Sequence, residues 1–285
     1  MEAMEIVEMF FRRRWPDGFS CPRCGFREFY TIRTRRLPLY QCRFCRHQTT
    51  VTAGTIMDKS RAPLEKWAAA LELLASASGM NAVELADRID VTHKTAWLIM
   101  RRLRRAISEL ETERKLAGVV HGGLRTFVPR RERVYSPLWT GSIMVLRPYR
   151  KEYPVFAAAS LDERGLPTAL KLRLVAKDDL APRRTETLAA GSGDRLLSEH
   201  SDPCARTTLL KRVRTPILWH FEAAEYWLYK VYHRVGENYL QTYLDEYCFR
   251  WNVAKEGRNL RDAWAELCTR AAVRATAGAS APRAA

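Results

Sequence analysis

No stretch of this 285-residue chain is apolar for long enough to form a transmembrane helix. Acidic charge is scarce: 32 Asp and Glu stand against 48 Lys and Arg, giving a formal net charge of +16 and a pI of 9.8. Such a deficit favours polyanionic partners, nucleic acid first. A membrane surface ranks behind it, because arginine dominates and no lysine-rich amphipathic helix is present. None of the six histidines (His47, His93, His121, His200, His220, His233) stands four residues from another, so they read as packing or surface residues rather than ligands. The segment Met1–Phe11 is acidic and amphipathic and does not read as a secretory signal. A reducing cytosol is therefore the expected compartment, where thiols favour metal over disulfide.

Cysteine is sparse, yet four of the seven are arranged in pairs. Cys21-Pro-Arg-Cys24 and Cys42-Arg-Phe-Cys45 are separated by 17 residues. This is the spacing of a zinc ribbon, in which each pair forms a tight knuckle and the intervening hairpin brings the two together. Four thiolates close the coordination sphere, which argues against a hydrolytic zinc with an open position for water. Structural zinc is the expected cofactor, since a module this small cannot build a sufficient core alone. Phe19, Phe26, Phe29, Tyr30, Tyr40 and Phe44 supply apolar cover. Arg33, Arg35 and Arg36 fall at the hairpin tip, and Arg43, Arg46 and His47 ring the second knuckle.

The next segment reads as helical. Pro63 suits a first helical turn, and Trp67, Ala70, Leu71 and Leu74 recur at helical spacing. Asn81 can cap a short second helix containing Val83, Leu85, Ala86 and Ile89. Asp90-Val91 makes a turn, and Thr92 caps a third helix. The pattern is that of a helix-turn-helix. Thr92, His93, Lys94 and Thr95 would face the major groove, and Arg101, Arg102, Arg104 and Arg105 would follow the DNA backbone.

From Leu116 the pattern changes to short strands: Gly118–Val120, Gly141–Leu146, Tyr153–Ala159 and Thr168–Val175, with Asp162-Glu163-Arg164-Gly165 as a hairpin turn. The stretch from Lys177 to Thr208 reads as loop-rich, with a short Leu196-Leu197 run. Helical periodicity returns from Leu218 to Arg250. Trp219 and Trp227, with Phe221 and Tyr226, read as core or as an oligomer contact. The Ala, Gly, Arg and Pro tail from Arg270 to Ala285 reads as disordered. Strands followed by helices give a multidomain α+β chain: a zinc ribbon with an N-terminal helix over 1–60, a helix-turn-helix over 61–115, an α/β domain over 116–269 and the tail over 270–285.

Several segments resemble the bacterial insertion-sequence transposases that begin with a zinc ribbon. Near the C-terminus these are Tyr232-His233-Arg234-Val235, Tyr239-Leu240-Gln241, Tyr243-Leu244-Asp245-Glu246 and Phe249-Arg250-Trp251-Asn252. Near the N-terminus they are Phe11, Trp15-Pro16-Asp17-Gly18, Thr52-Ala53-Gly54-Thr55 and Lys66-Trp67. The resemblance covers residues 8–253. It implies a ribonuclease-H-like domain of the DDE type, in which three carboxylates hold two Mg²⁺ or Mn²⁺ ions for DNA cleavage and strand transfer. It also implies double-stranded DNA as partner, multimeric assembly, and a cytoplasmic, nucleoid-associated location.

The carboxylates themselves are not where the resemblance would put them. No Asp or Glu lies between Leu116 and Arg131, and Gly122 or Gly123 takes the place of the first. Asp162 is the next Asp, but it falls in a turn. For the second, Glu199 is the nearest substitute, with Asp202 close behind. For the third, Leu218 stands where the family has Glu. Glu222 lies one helical turn on, about 6 Å along the axis, and Glu225 three residues beyond it.

The reading that follows is a DNA-binding protein of the transposase family with a degenerate catalytic domain, whose remaining catalytic candidates are Glu199 and Glu222. The alternatives are an active transposase using Mg²⁺ or Mn²⁺ and a zinc-ribbon transcription regulator. A scaffold within a larger nucleoprotein complex fits the same charge and fold.

Overall fold

A computed structural model describes residues 3–75, 79–127, 133–138, 141–146, 153–181, 188–210, 216–232 and 235–269; for 133–138 and 141–146 only the backbone is described. The chain is a mixed α+β protein with two compact units, residues 1–72 with the C-terminal end from Trp264, and residues 73–263. Three parts were expected, at 1–60, 61–115 and 116–269. The observed division instead falls inside α2 (Leu64–Ala75), and α4 (His93–Glu113) shares a unit with the main sheet. The tail from Arg270 and the pair His233-Arg234 lie outside the described residues.

In the first unit, α1 (Ala3–Arg14) precedes a small antiparallel sheet of β1 (Phe29–Ile32), β2 (Leu39–Cys42) and β3 (Gln48–Thr49), in that order. Ile6, Val7 and Phe10 form the buried stripe of α1. The core is largely aromatic: the Phe19 ring centroid lies 4.6 Å from Phe29 and 5.0 Å from Trp15, and Phe11 lies 5.0 Å from Tyr40. Phe26 and Phe44, expected as cover, instead pair with each other at 5.7 Å and stay exposed.

The second unit is built on a four-stranded sheet of order β8-β7-β4-β9. β4 (Val119–Phe127), β7 (Tyr153–Leu161) and β8 (Pro167–Leu174) form an antiparallel meander, and β9 (Arg206–Leu210) returns parallel to β4. β5 (Arg133–Leu138) and β6 (Gly141–Leu146) form a separate antiparallel pair. Side chains alternate along β7, as the strand period requires. Val155, Ala157 and Ala159 pack with α6 (Ile217–Tyr232) and α7 (Leu240–Lys255), whereas Phe156 and Ala158 pack with Leu196 and Leu197 of α5 (Ser192–His200). Helices therefore cover both faces. α8 (Leu260–Thr269) ends the described chain.

Local chemistry accounts for the elements that the sequence announces. The β7–β8 turn is held by Asp162, whose Oδ1 accepts from the N–H groups of Arg164 and Leu166, and by Gly165 at φ +74°. The region expected as loop holds α5 and β9. α5 opens on Gly191-Ser192-Gly193, poor helix formers that hide its start, and the exposed Arg-Thr-Thr of β9 shows no apolar alternation. The helical periodicity expected from Leu218 to Arg250 is carried by α6 and α7, with a 3-10 turn at Glu237–Tyr239 leading into α7. Trp219 and Trp227 do not share a face: eight residues at the helical period leave them about 80° apart. Trp227 packs into the core, while Trp219 is 64% exposed and Tyr226 63%.

Candidate metal centre and nucleic-acid interface

Each Cys pair sits on a knuckle with the same backbone bond. Gly25 N–H donates to Cys21 O at 2.8 Å, and Arg46 N–H donates to Cys42 O at 3.1 Å. Both closing residues are left-handed, Gly25 at φ +75° and Arg46 at φ +59°. The hairpin β1–β2 then brings the knuckles together. Sγ of Cys21 lies 3.6 Å from that of Cys45, Cys24 lies 3.6 Å from Cys42, and all four sulfurs are within 4.8 Å of one another. Tetrahedral zinc with bonds of about 2.3 Å requires sulfurs about 3.8 Å apart, so the four residues fit that ion.

Proximity of the sulfurs also separates the titrations of Cys24 and Cys42. Burial opposes ionisation of Cys42, but backbone hydrogen bonds from Cys45 and Phe44 and the neighbouring thiols bring it down to about 7. A backbone hydrogen bond from Phe26 favours the Cys24 thiolate, yet desolvation and the other three thiols push it up to about 12. A soft divalent cation is the natural charge to hold four such groups deprotonated.

In the second unit, α3 (Ala82–Arg88) and α4 flank a tight turn. Asn81 caps α3, its Oδ1 accepting from Val83 and Glu84 N–H at 3.0 and 2.9 Å. The helix ends in a Schellman motif: Val91 N–H reaches Ala86 O, Asp90 N–H reaches Asp87 O, and Asp90 takes the left-handed position at φ +51°. Thr92 then caps α4 through Thr95 N–H. Gly79 precedes this segment at φ +84°, and a Cβ there would lie 2.9 Å from the Trp227 ring.

The expected DNA contacts fall in two groups. Arg33, Arg35 and Arg36 are exposed at the hairpin tip of the first unit. On α4 of the second unit, His93, Lys94, Arg101 and Arg105 are exposed, while Thr95 and Arg102 are half-buried. Lys94, Leu98, Arg101 and Arg105 recur at helical spacing and make one stripe. The hydroxyl of Thr92 is committed to its cap, Arg101 stacks over Trp97 at 5.1 Å, and Arg105 pairs with Glu109 at 3.2 Å.

Arg104 departs from the expected backbone-tracking role. It is 5% exposed and donates to Glu246 of α7 at 2.6 Å. Glu246 also accepts from Arg250 at 2.9 Å and from Tyr232 Oη at 3.3 Å. Burial works against this carboxylate, but the two arginines hold it below the usual carboxylate range. Arginine count along α4 could not separate a buried from an exposed position, whereas the helical period places Arg104 with Met100 and Ile107.

The catalytic candidates are not brought together. Glu199 is exposed on α5, not at the end of a strand, and its backbone carbonyl accepts from Lys115 Nζ. Glu222 is exposed on α6, 3.8 Å from Arg125 of β4. Because α5 and α6 cover opposite faces of the sheet, these two carboxylates are separated by it. Asp202 is taken up by a turn, accepting from Cys204 N–H at 2.9 Å. On β4, a Cβ at Gly122 would meet the ring tip of Phe156 at 2.7 Å and a methyl of Leu197 at 2.9 Å, so one of these side chains must shift to admit a side chain there. Among the described residues, the cysteine tetrad is the cluster of three or more potential ligands close enough to share an ion.

Comparison with known families bears on the first unit. Residues 4–48 match the family described as the transposase zinc-ribbon domain. Its N-terminal ribbon is therefore similar to the zinc ribbon of transposases. No curated protein matches the sequence. A chain of a solved structure, the crystal structure of a pre-cleavage Mos1 transpososome, shares 14% identity over 71% of this chain and 77% of that one. Its TM-score is 0.25, too low to bear on the fold. Among the described residues, no helix is long and apolar enough to cross a membrane.

Proposed function

We propose that this protein binds double-stranded DNA through its zinc ribbon and through α3 and α4 acting as a helix-turn-helix, on a ribonuclease-H-like body that does not assemble a DDE centre. The observation that carries the reading is the transposase ribbon at residues 4–48, built around four convergent cysteines. Two further features support it. The capped turn between α3 and α4 leaves the start of α4 exposed with His93 and Lys94, as groove entry by a helix N-terminus requires. The mixed sheet with helices on both faces is consistent with a ribonuclease-H-like body.

The placement of Glu199 and Glu222 on opposite faces favours a binding role over strand transfer. Two-metal chemistry needs ions about 4 Å apart in one carboxylate cluster. Self-association and a nucleoid location belong to the same reading.

A cleavage and joining assay tests it, using zinc-loaded protein, Mg²⁺ or Mn²⁺, and labelled DNA flanking its own gene. Retarded but uncut DNA, with retardation lost on zinc chelation, is the expected result. Metal-dependent nicking that disappears in Glu199→Ala or Glu222→Ala would establish an active enzyme instead.

A further inference from the structure

A cleft of about 330 Å³ opens in the first unit between the hairpin tip, the loop that follows the ribbon, and the start of α2. Arg35 and Arg36 come from the tip, Lys59 and Arg61 from the loop. Arg36 pairs with Glu65 at 3.3 Å. Arg35, Lys59 and Arg61 make no hydrogen bond or ion pair among the described residues. Ser60 also lines the cleft, and its Oγ accepts twice, from Ala62 N–H at 3.2 Å and from Trp67 Nε1–H at 3.0 Å. A hydroxyl that accepts twice has its own proton left to donate.

The loop is held in a conformation that does not come cheaply. Lys59 sits at φ +53°, a left-handed position that costs a residue with a Cβ on the order of 1 kcal/mol. The Trp67 ring beneath is 1% exposed and locks Ser60 through its indole N–H. Leu64 lines the cleft where α2 begins, so the positive end of that helix adds to the field. The groups without partners are thus donors and cations.

We infer that this cleft seats phosphates of a nucleic-acid strand. An isolated phosphate offers at most two charges to the four cations around the opening. A strand supplies a charge at every phosphate and can satisfy them in succession. Arg33, exposed on the same tip, extends the positive run. The inference rests on the DNA-binding reading above and deepens it: the ribbon unit contributes a backbone-clamping site that carries no sequence information of its own.

The test is the salt dependence of duplex binding by the full, zinc-loaded chain, read by fluorescence anisotropy. Lys59→Gly combined with Arg61→Ala removes two of the cations, and glycine relaxes the left-handed backbone, so the fold is retained. Zinc content checks this. Arg12→Ala with Arg13→Ala on α1 removes equal charge elsewhere in the unit. The slope of log K against log salt should fall by about two, one for each cation removed, in the cleft variant and not in the control, equally for unrelated sequences. Between 50 and 200 mM salt, the gap between wild type and cleft variant should then narrow about 12-fold. An unchanged slope, or an equal loss in the control, would overturn the cleft and leave the DNA-binding reading standing. If the wild type binds no duplex, both readings fall. Backbone amide shifts at Lys59–Leu64 on adding inorganic phosphate would in that case identify a site for a free anion.

Discussion

The side chain of Asn252 on α7 binds both backbone groups of Leu170 on the edge strand β8. Its Oδ1 accepts from Leu170 N–H at 2.8 Å, and its Nδ2 donates to Leu170 O at 3.0 Å. Gln241, three turns earlier on α7, does the same for the next positions, accepting from Leu174 N–H at 2.7 Å and donating to Leu172 O at 3.0 Å. Two side-chain amides therefore stand in for a neighbouring strand and close an edge that would otherwise be open to pairing. Asn252→Leu should destabilise the second unit by about 2–3 kcal/mol, because it leaves two buried backbone groups without partners. Urea unfolding measures this; a loss below about 0.5 kcal/mol would mean the amide is not sealing the edge.

Glu111 lies beside this seal, accepting from Asn252 Nδ2 at 3.2 Å and pairing with Arg114 at 3.1 Å. Burial outweighs the guanidinium and pushes its carboxyl up to about 7. The folded state then holds a proton that the unfolded chain releases near the usual carboxylate value. Stability should therefore fall as pH rises through that value towards about 7, by up to roughly 3 kcal/mol from this group. Glu111→Gln should flatten that slope. Equal pH dependence of wild type and variant between pH 5 and 7.5 would refute the shift.

Asp90 holds the left-handed position that ends α3. Asp90→Gly should stabilise the protein by about 0.5–1 kcal/mol, since glycine takes that conformation without a Cβ penalty. A fall in melting temperature would show that the carboxylate makes a contribution larger than the strain.

Gly122→Asp would put a carboxylate back on β4, yet it should not create cleavage activity. Its Cβ would collide with Phe156 and Leu197, and overpacking of this kind costs about 1–3 kcal/mol. A stable variant that nicks DNA with Mg²⁺ would show that the strand can accept the side chain.

What was legible in the sequence was local chemistry. The four cysteines give away their tetrahedron because ligand spacing on a knuckle is a short-range property. Thr92 and Asn81 mark helix starts for the same reason. Asp162 was recognisable as a turn residue from its three neighbours. What was hidden depends on distant partners. Asn252 meets Leu170 across 82 residues, and Arg104 meets Glu246 across 142. A helix such as α7, with Asp245, Glu246, Arg250 and Asn252 all buried, defeats any reading that expects polar residues outside. Glu199 and Glu222 looked like members of one site because sequence order says nothing about which face of a sheet a helix will cover.

α4 is a single unbroken helix of 21 residues, about 31 Å long. Its capped end carries the exposed His93 and Lys94, while midway along it Arg104 is gripped by α7, and the carbonyls at its far end accept from Lys171 Nζ of β8. The helix is thus a lever with its fulcrum buried in the α/β body. A 10° tilt about Arg104 would carry the exposed tip about 3 Å, roughly the rise of one base pair. A duplex engaged by that tip would inherit its bearing from the sheet, so core substitutions around Glu246 would steer the DNA without touching it.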